Sequence, residues 1–333
     1  MSSSDSSSDP SGGFPDLPPN MVYFGPDANC TLDLCPVEWS VYGYRPSLAA
    51  NISFIALNAL AGVIHAYLGF RWRQWWFMVC MLVGVVNAII GYVGRVLLYY
   101  NPFSFAAFML QIICITTGPV YYCAAIYITL ALSCPEAILI RDLDDRIQYF
   151  SPELSRFKPQ LFYYIFIPCD IFSLVLQAAG GALSTTSSGQ SDVGVNLALA
   201  GMSFQVFTIV LFCGFFADYM IRYFRSERRN ETHAGNWAGQ TTRLKLFFGF
   251  MALAVLLTLI RCSYRLAELH EGYLAIDGLV RNEGLFIGFE GVMVLGSVYC
   301  LMIGHPGLVF KQGAKDQTQT PDQNLQELQE YPK

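Results

Sequence analysis

From residue 47 onward the chain alternates between long apolar stretches and short polar breaks. Seven of the stretches reach the ~20 mostly apolar residues that a spanning helix needs: 47–70, 74–98, 105–133, 160–184, 194–221, 244–268 and 284–304. The few polar residues inside them recur at helical spacing. Asn51, Asn58 and His65 are seven apart in the first run, and Asp170, Ser173, Gln177 and Gly181 form a three-to-four stripe in the fourth. The pattern predicts an all-α membrane protein, a bundle of seven transmembrane helices over residues 47–304.

The flanks are different in kind. Residues 1–46 form a polar N-terminal tail whose first twenty positions, rich in Ser, Pro and Gly, are expected to be disordered; residues 305–333 form a polar, Gln-rich tail. No basic region followed by a short apolar core and cleavage site precedes the first run, so no cleaved signal peptide is expected. Composition strengthens the membrane reading: 54% of residues are hydrophobic and 14% charged, against about a quarter charged in a soluble domain. The net charge of −5 is small and dispersed, which gives no support to a nucleic-acid partner.

Basic residues set the expected orientation. Arg45 and Arg281 are the only two in the tail and loops on one side. Fifteen lie on the other, among them Arg71, Arg73, Arg141, Arg146, Arg222, Arg225, Arg228, Arg229 and Lys245, and three arginines lie within the spans. The N-terminus is therefore expected outside and the C-terminus in the cytoplasm. On that topology Cys30 and Cys35 occupy an oxidising compartment and are candidates for a disulfide. Asn29 heads an Asn-Cys-Thr sequon and is a glycosylation candidate, in competition with early pairing of Cys30. The eight remaining cysteines lie in or beside apolar runs and read as small hydrophobes.

An ionisable group within a span costs about 2.5–3.5 kcal/mol at the helix centre, so each is a functional candidate. The candidates for a substrate cavity are Asn58, Arg95, Gln111, Asp170, Gln177, Gln205, Arg261, Arg265, Glu268 and Glu290. Helix directions place Asp170, Gln205 and Asn58 near mid-membrane and the others in the outer half. The three arginines are matched in number by Asp170, Glu268 and Glu290, a balance that permits pairing within the bundle. Two readings stand side by side: pairs that only hold helices together, or a polar cavity opening outward with the Asp170–Gln177 stripe on its wall. Pro119, behind Gly118, is expected to kink the third helix.

Several chemistries find no motif. The chain has no G-x-x-x-x-G-K-[ST] phosphate loop, no H-E-x-x-H and no G-x-S-x-G. Its four histidines lack metal-ligand spacing. The seventh run holds no lysine for a retinal Schiff base, and the third ends Ala131-Leu132-Ser133-Cys134 rather than in an Asp-Arg-Tyr box. The expectation is a protein that is not an enzyme and carries no cofactor and no metal.

Short motifs run in order across the bundle: "YGYRPSLAAN" (42–51), "IGYVGR" (90–95), "GPVYYCAAIY" (118–127), "DIFSLVLQAAGG" (170–181), "LAGMSFQVF" (199–207), "IRCSYRLAELHEG" (260–272) and "HPG" (305–307). In order and spacing they resemble the fungal RTA-like lipid-translocating exporters, seven-span proteins linked to resistance to sphingoid long-chain bases and aminosterols. The resemblance implies a plasma-membrane protein, with a vacuolar or other endomembrane place as the alternative. It implies translocation or export of a lipid or amphipathic toxin, with membrane lipids and an amphipathic small molecule as partners. The alternatives are a seven-helix lipid-sensing receptor or regulator, and a self-resistance efflux protein for a metabolite. The chain departs from the family where Asn87 to Ile90 stand in place of a Glu-containing approach to "IGY". It departs again where Ile287 and Glu290 stand in place of the usual Tyr and Asp.

Overall fold

The computed structural model describes Val22 and residues 25–133, 160–186, 192–230, 238–271 and 281–307; the expected disorder of residues 1–20 and most of the C-terminal tail lie outside these. Seven long helices follow one another: α1 (Leu48–Trp72), α2 (Trp75–Tyr100), α3 (Phe105–Ser133), α4 (Gln160–Thr186), α5 (Asp192–Asn230), α6 (Ala238–Glu271) and α7 (Glu283–Ile303). Each contains a stretch long and apolar enough to cross a membrane. The helices α5 and α6 run on beyond the apolar stretches into the basic region that separates them.

Burial inverts the habit of soluble helices. On α2 the residues Val79, Val83, Val86, Ile90, Val93 and Leu97, spaced three and four apart, are exposed, and form the stripe a lipid chain would meet. The opposite stripe, Met78, Met81, Val85, Ala88, Tyr92, Arg95 and Leu98, is buried. Every helix packs on the next, and α7 returns to α1, so the seven close a ring. The central side of α3 also reaches α6.

Two seams of close approach rely on glycine. A Cβ at Gly94 would lie about 3 Å from the backbone of Gln111 and Ala107, which brings α2 against α3. Gly180 on α4 lies against the backbone of Gly194 and Ala198, and Gly201 faces the Ser173 carbonyl, which draws α4 onto α5. Gly181, a member of the polar stripe in the sequence, takes no part in this seam: nothing lies within 4 Å of its Cβ position.

The core divides along its length. At one end Tyr127, Phe166, Phe212, Phe216, Phe247 and Phe248 form an aromatic cluster, with the Tyr127 and Phe212 ring centroids 4.6 Å apart. At the other end the core is polar, and residues 25–46 fold over it. Cys30 and Cys35 are disulfide-bonded and pack with Phe103 of the α2–α3 turn. A 3-10 turn, Val37–Trp39, leads to Gly43 in the left-handed region at φ 68°. Arg281 donates to the Glu38 carbonyl and lies against Gly43, while Arg45 donates to the Tyr99 carbonyl. Ser47 then caps α1 through its hydroxyl, and its own N–H donates to the Glu283 carboxylate.

Candidate functional site

The polar residues fall into two groups. The first surrounds Asp170. Although α4 presents Tyr164, Ile165, Ile171, Phe172, Val175 and Leu183 outward, Asp170 is 2% exposed and turned into the bundle. Among the described residues its Oδ1 has no hydrogen-bond partner and no basic side chain forms an ion pair with it. The Tyr127 hydroxyl of α3 lies beside the carboxyl without closing a hydrogen bond of ordinary geometry. Cys123 of α3 and Cys262 of α6 are within electrostatic range of it. Ser173, one turn on, donates to the Asp170 carbonyl at 2.7 Å. A further turn along, Gln177 donates to Gln205 of α5 at 3.0 Å and keeps a buried, unpartnered Oε1. Gln177 and Gln205 therefore meet, a contact between α4 and α5 that the sequence pattern does not give, and Asp170 is not one of the arginines' counter-charges.

The second group lies at the end covered by residues 25–46. Arg261 meets Glu290 with Nε 2.8 Å and Nη2 2.6 Å from Oε1, and both are fully buried. Arg265 donates to Glu268 one turn along α6, lies 3.6 Å from the other Glu290 oxygen, and reaches Thr116 of α3. Glu290 gains its place from a turn of π-helix, Phe286–Val292, that interrupts α7. Gly291 in that turn lies against the Phe54 ring of α1, and such widened turns often mark functional sites.

The last arginine is held otherwise. Arg95, 1% exposed, places its guanidinium carbon 3.6 Å from the centre of the Phe286 ring and within 6.0 Å of the Tyr42 and Tyr44 rings. One of its nitrogens donates to the Tyr44 hydroxyl at 2.8 Å. Gln111 donates to the Tyr42 hydroxyl at 2.9 Å. Burial raises both tyrosine hydroxyls above their ordinary pKa despite Arg95 beside them, so each meets it as a neutral phenol.

Asn58 stays on its own helix, with its amide donating to the Phe54 carbonyl and its Oδ1 buried without a partner. Asn29 is exposed, and its side-chain oxygen accepts from the Val22 N–H. Among the described residues no group of three or more His, Cys, Asp or Glu is placed to hold a metal ion. The tyrosines at 42, 44 and 127 carry no signal in a hydropathy pattern. The Ile115 carbonyl, which accepts from Arg261 at 2.8 Å, does carry one: Pro119, four residues on, has no N–H to give it.

These helices and motifs have relatives. A "Sphingoid long-chain base transporter RSB1" of Saccharomyces cerevisiae (strain Lalvin EC1118 / Prise de mousse) is 29% identical over 302 residues, covering 82% of this chain and 75% of the relative. A "Lipid-translocating exporter-like protein RTA1" of Leptosphaeria maculans is 24% identical over 295 residues, covering 82% of this chain and 52% of that protein. No solved structure matches the chain. The family model for the RTA1 like protein matches residues 81–313, from α2 to beyond the end of α7, and on that match this integral membrane protein belongs to the RTA1-like family.

Proposed function

We propose that this protein moves an amphipathic lipid or lipid-like toxin across the bilayer and thereby confers resistance to it, with Asp170 as the polar step at mid-depth. The carrying observation is the Asp170 carboxyl: buried, with Oδ1 unpartnered and no basic side chain in an ion pair with it among the described residues. A carboxylate in that setting lacks a counter-charge, and the protonated amine of a long-chain base supplies one. The names of the two relatives, a long-chain-base transporter and a lipid-translocating exporter, favour the same class. Tyr127, Ser173 and the Gln177–Gln205 pair give neighbouring hydroxyls and amides to a hydroxylated head group, while the outward apolar face of α4 accompanies its chain.

The distribution of basic residues favours the N-terminus outside, and the family resemblance favours the plasma membrane. Enzymatic deglycosylation tests the orientation: a mobility shift removed by Asn29→Gln puts residues 25–46 outside. The function is tested with purified protein in liposomes that carry a fluorescent long-chain base. Wild-type protein accelerates leaflet exchange, and Asp170→Asn, similar in shape but uncharged, abolishes it while the protein stays folded. Saturable binding without accelerated exchange would overturn translocation in favour of a lipid receptor.

A further inference from the structure

The buried polar end of the bundle does not balance its charge. Arg95, Arg261 and Arg265 face two buried carboxylates, Glu268 and Glu290, and both carboxylates are engaged by Arg261 and Arg265. Among the described residues Arg95 has no carboxylate partner, and its buried Nη1 has no hydrogen-bond partner. The Phe286, Tyr42 and Tyr44 rings offset part of the desolvation, but a ring face does not satisfy an N–H. Close by, the Gln111 Oε1 and Tyr264 hydroxyl are also buried without partners. A guanidinium is built to grip an anionic oxygen group through two parallel N–H donors, and here one donor meets a neutral phenol while the other meets nothing.

We propose that Arg95 is an anion site, which takes a phosphate or carboxylate group when Tyr44 withdraws, Tyr44 holding the place of one anionic oxygen in the present conformation. Tyr42 and Tyr44 belong to the segment that the Arg281–Glu38 and Arg45–Tyr99 contacts fasten over the bundle end. Entry of the anion therefore requires that segment to lift. The inference goes beyond the proposed function, and it is separate from the amine site at Asp170 because the two call for opposite charge.

The test uses full-length protein in nanodiscs of neutral lipid and measures binding of three probes: dodecyl phosphate, inorganic phosphate and dodecylammonium. Saturable binding of dodecyl phosphate, weakened about a hundredfold by Arg95→Gln, is expected from loss of a charge-assisted pair. Binding of inorganic phosphate with equal strength assigns the site to the free ion, and its absence assigns it to an amphipath; both keep the anion site. Tyr44→Phe is decisive even if Arg95→Gln fails to fold. It removes the competing acceptor, so anion binding tightens about threefold to tenfold, whereas a purely structural Arg95 gives no tightening. Binding of dodecylammonium alone overturns the anion site and leaves the Asp170 reading standing. Binding of a phosphate probe alone does the reverse.

Discussion

Arg261 occupies a carbonyl that Pro119 leaves open. The Ile115 oxygen would ordinarily accept from the N–H of residue 119, but proline has none, and the Arg261 Nη2 takes that place at 2.8 Å across the bundle. The helix itself continues unbroken from Phe105 to Ser133. A residue that would weaken a soluble helix here provides a polar tie between α3 and α6, in surroundings where a bare carbonyl has no water to meet.

The first prediction concerns this tie. Replacing a helix-interior proline by alanine is ordinarily worth about 3 kcal/mol of helix stability. Pro119→Ala is expected to return much less, because the restored N–H competes with Arg261 for Ile115. A thermal-unfolding cycle in detergent with Pro119→Ala, Arg261→Met and the double variant should give a coupling of about 1 kcal/mol or more. Simple additivity would refute the link.

Glu290 answers two arginines, so its loss leaves buried positive charge. Glu290→Gln is expected to destabilise the protein by about 3 kcal/mol, read as a fall in Tm or in the yield of folded protein. Glu283→Gln, at the half-buried rim where its carboxylate accepts from the Ser47 N–H, should cost about 1 kcal/mol. Equal effects would mean that the ion-pair network is not held by Glu290.

The two adjacent glycines of α4 should behave differently. Gly180→Ala drives a methyl into the backbone of Ala198 and the Gly194 carbonyl, and neither can rotate away; a loss of about 1–3 kcal/mol is expected. Gly181→Ala meets nothing and should be neutral or slightly stabilising, since alanine is the better helix former. Parallel thermal unfolding of the two variants checks the contrast.

These examples mark where the sequence was informative. Seven apolar runs gave seven helices because length and hydropathy alone decide what can cross a bilayer. The stripe on α4 put Asp170, Ser173 and Gln177 on one face because helical period fixes which side chains share a face; that Gln177 meets Gln205 of α5 was not readable from it. Pairing was harder to read. Three arginines and three acids looked balanced, yet Asp170 and Arg95 each stand without an ionic partner among the described residues. Counting charges carries no information on which helix faces which. The π turn that sets Glu290 and the segment that brings Tyr44 to Arg95 are tertiary events. Gly180 lies against the α5 backbone while the Cβ position of Gly181 meets nothing within 4 Å, a difference that a pair of adjacent glycines in a sequence does not reveal.

The final prediction uses His305, just past the end of α7. It is wholly buried, its ring edge-on to Phe77 at 5.1 Å, and its Nδ1 accepts from the Gly307 N–H at 3.1 Å. Burial, with a smaller contribution from nearby His65, lowers its pKa from 6.5 to about 4. Above pH 6.5 the imidazole is neutral in folded and unfolded chains alike, and the full stability is present. As pH falls from 6.5 toward 4, the unfolded chain binds a proton that the folded one refuses, so stability drops by about 1.4 kcal/mol per pH unit. Below pH 4 the folded form also takes the proton, and this contribution levels off. His305→Phe fills the same apolar site without titrating, and is expected to flatten the dependence of Tm on pH in that window. An unchanged slope in the variant would show that His305 is already protonated in the fold, or that another group governs the acid side.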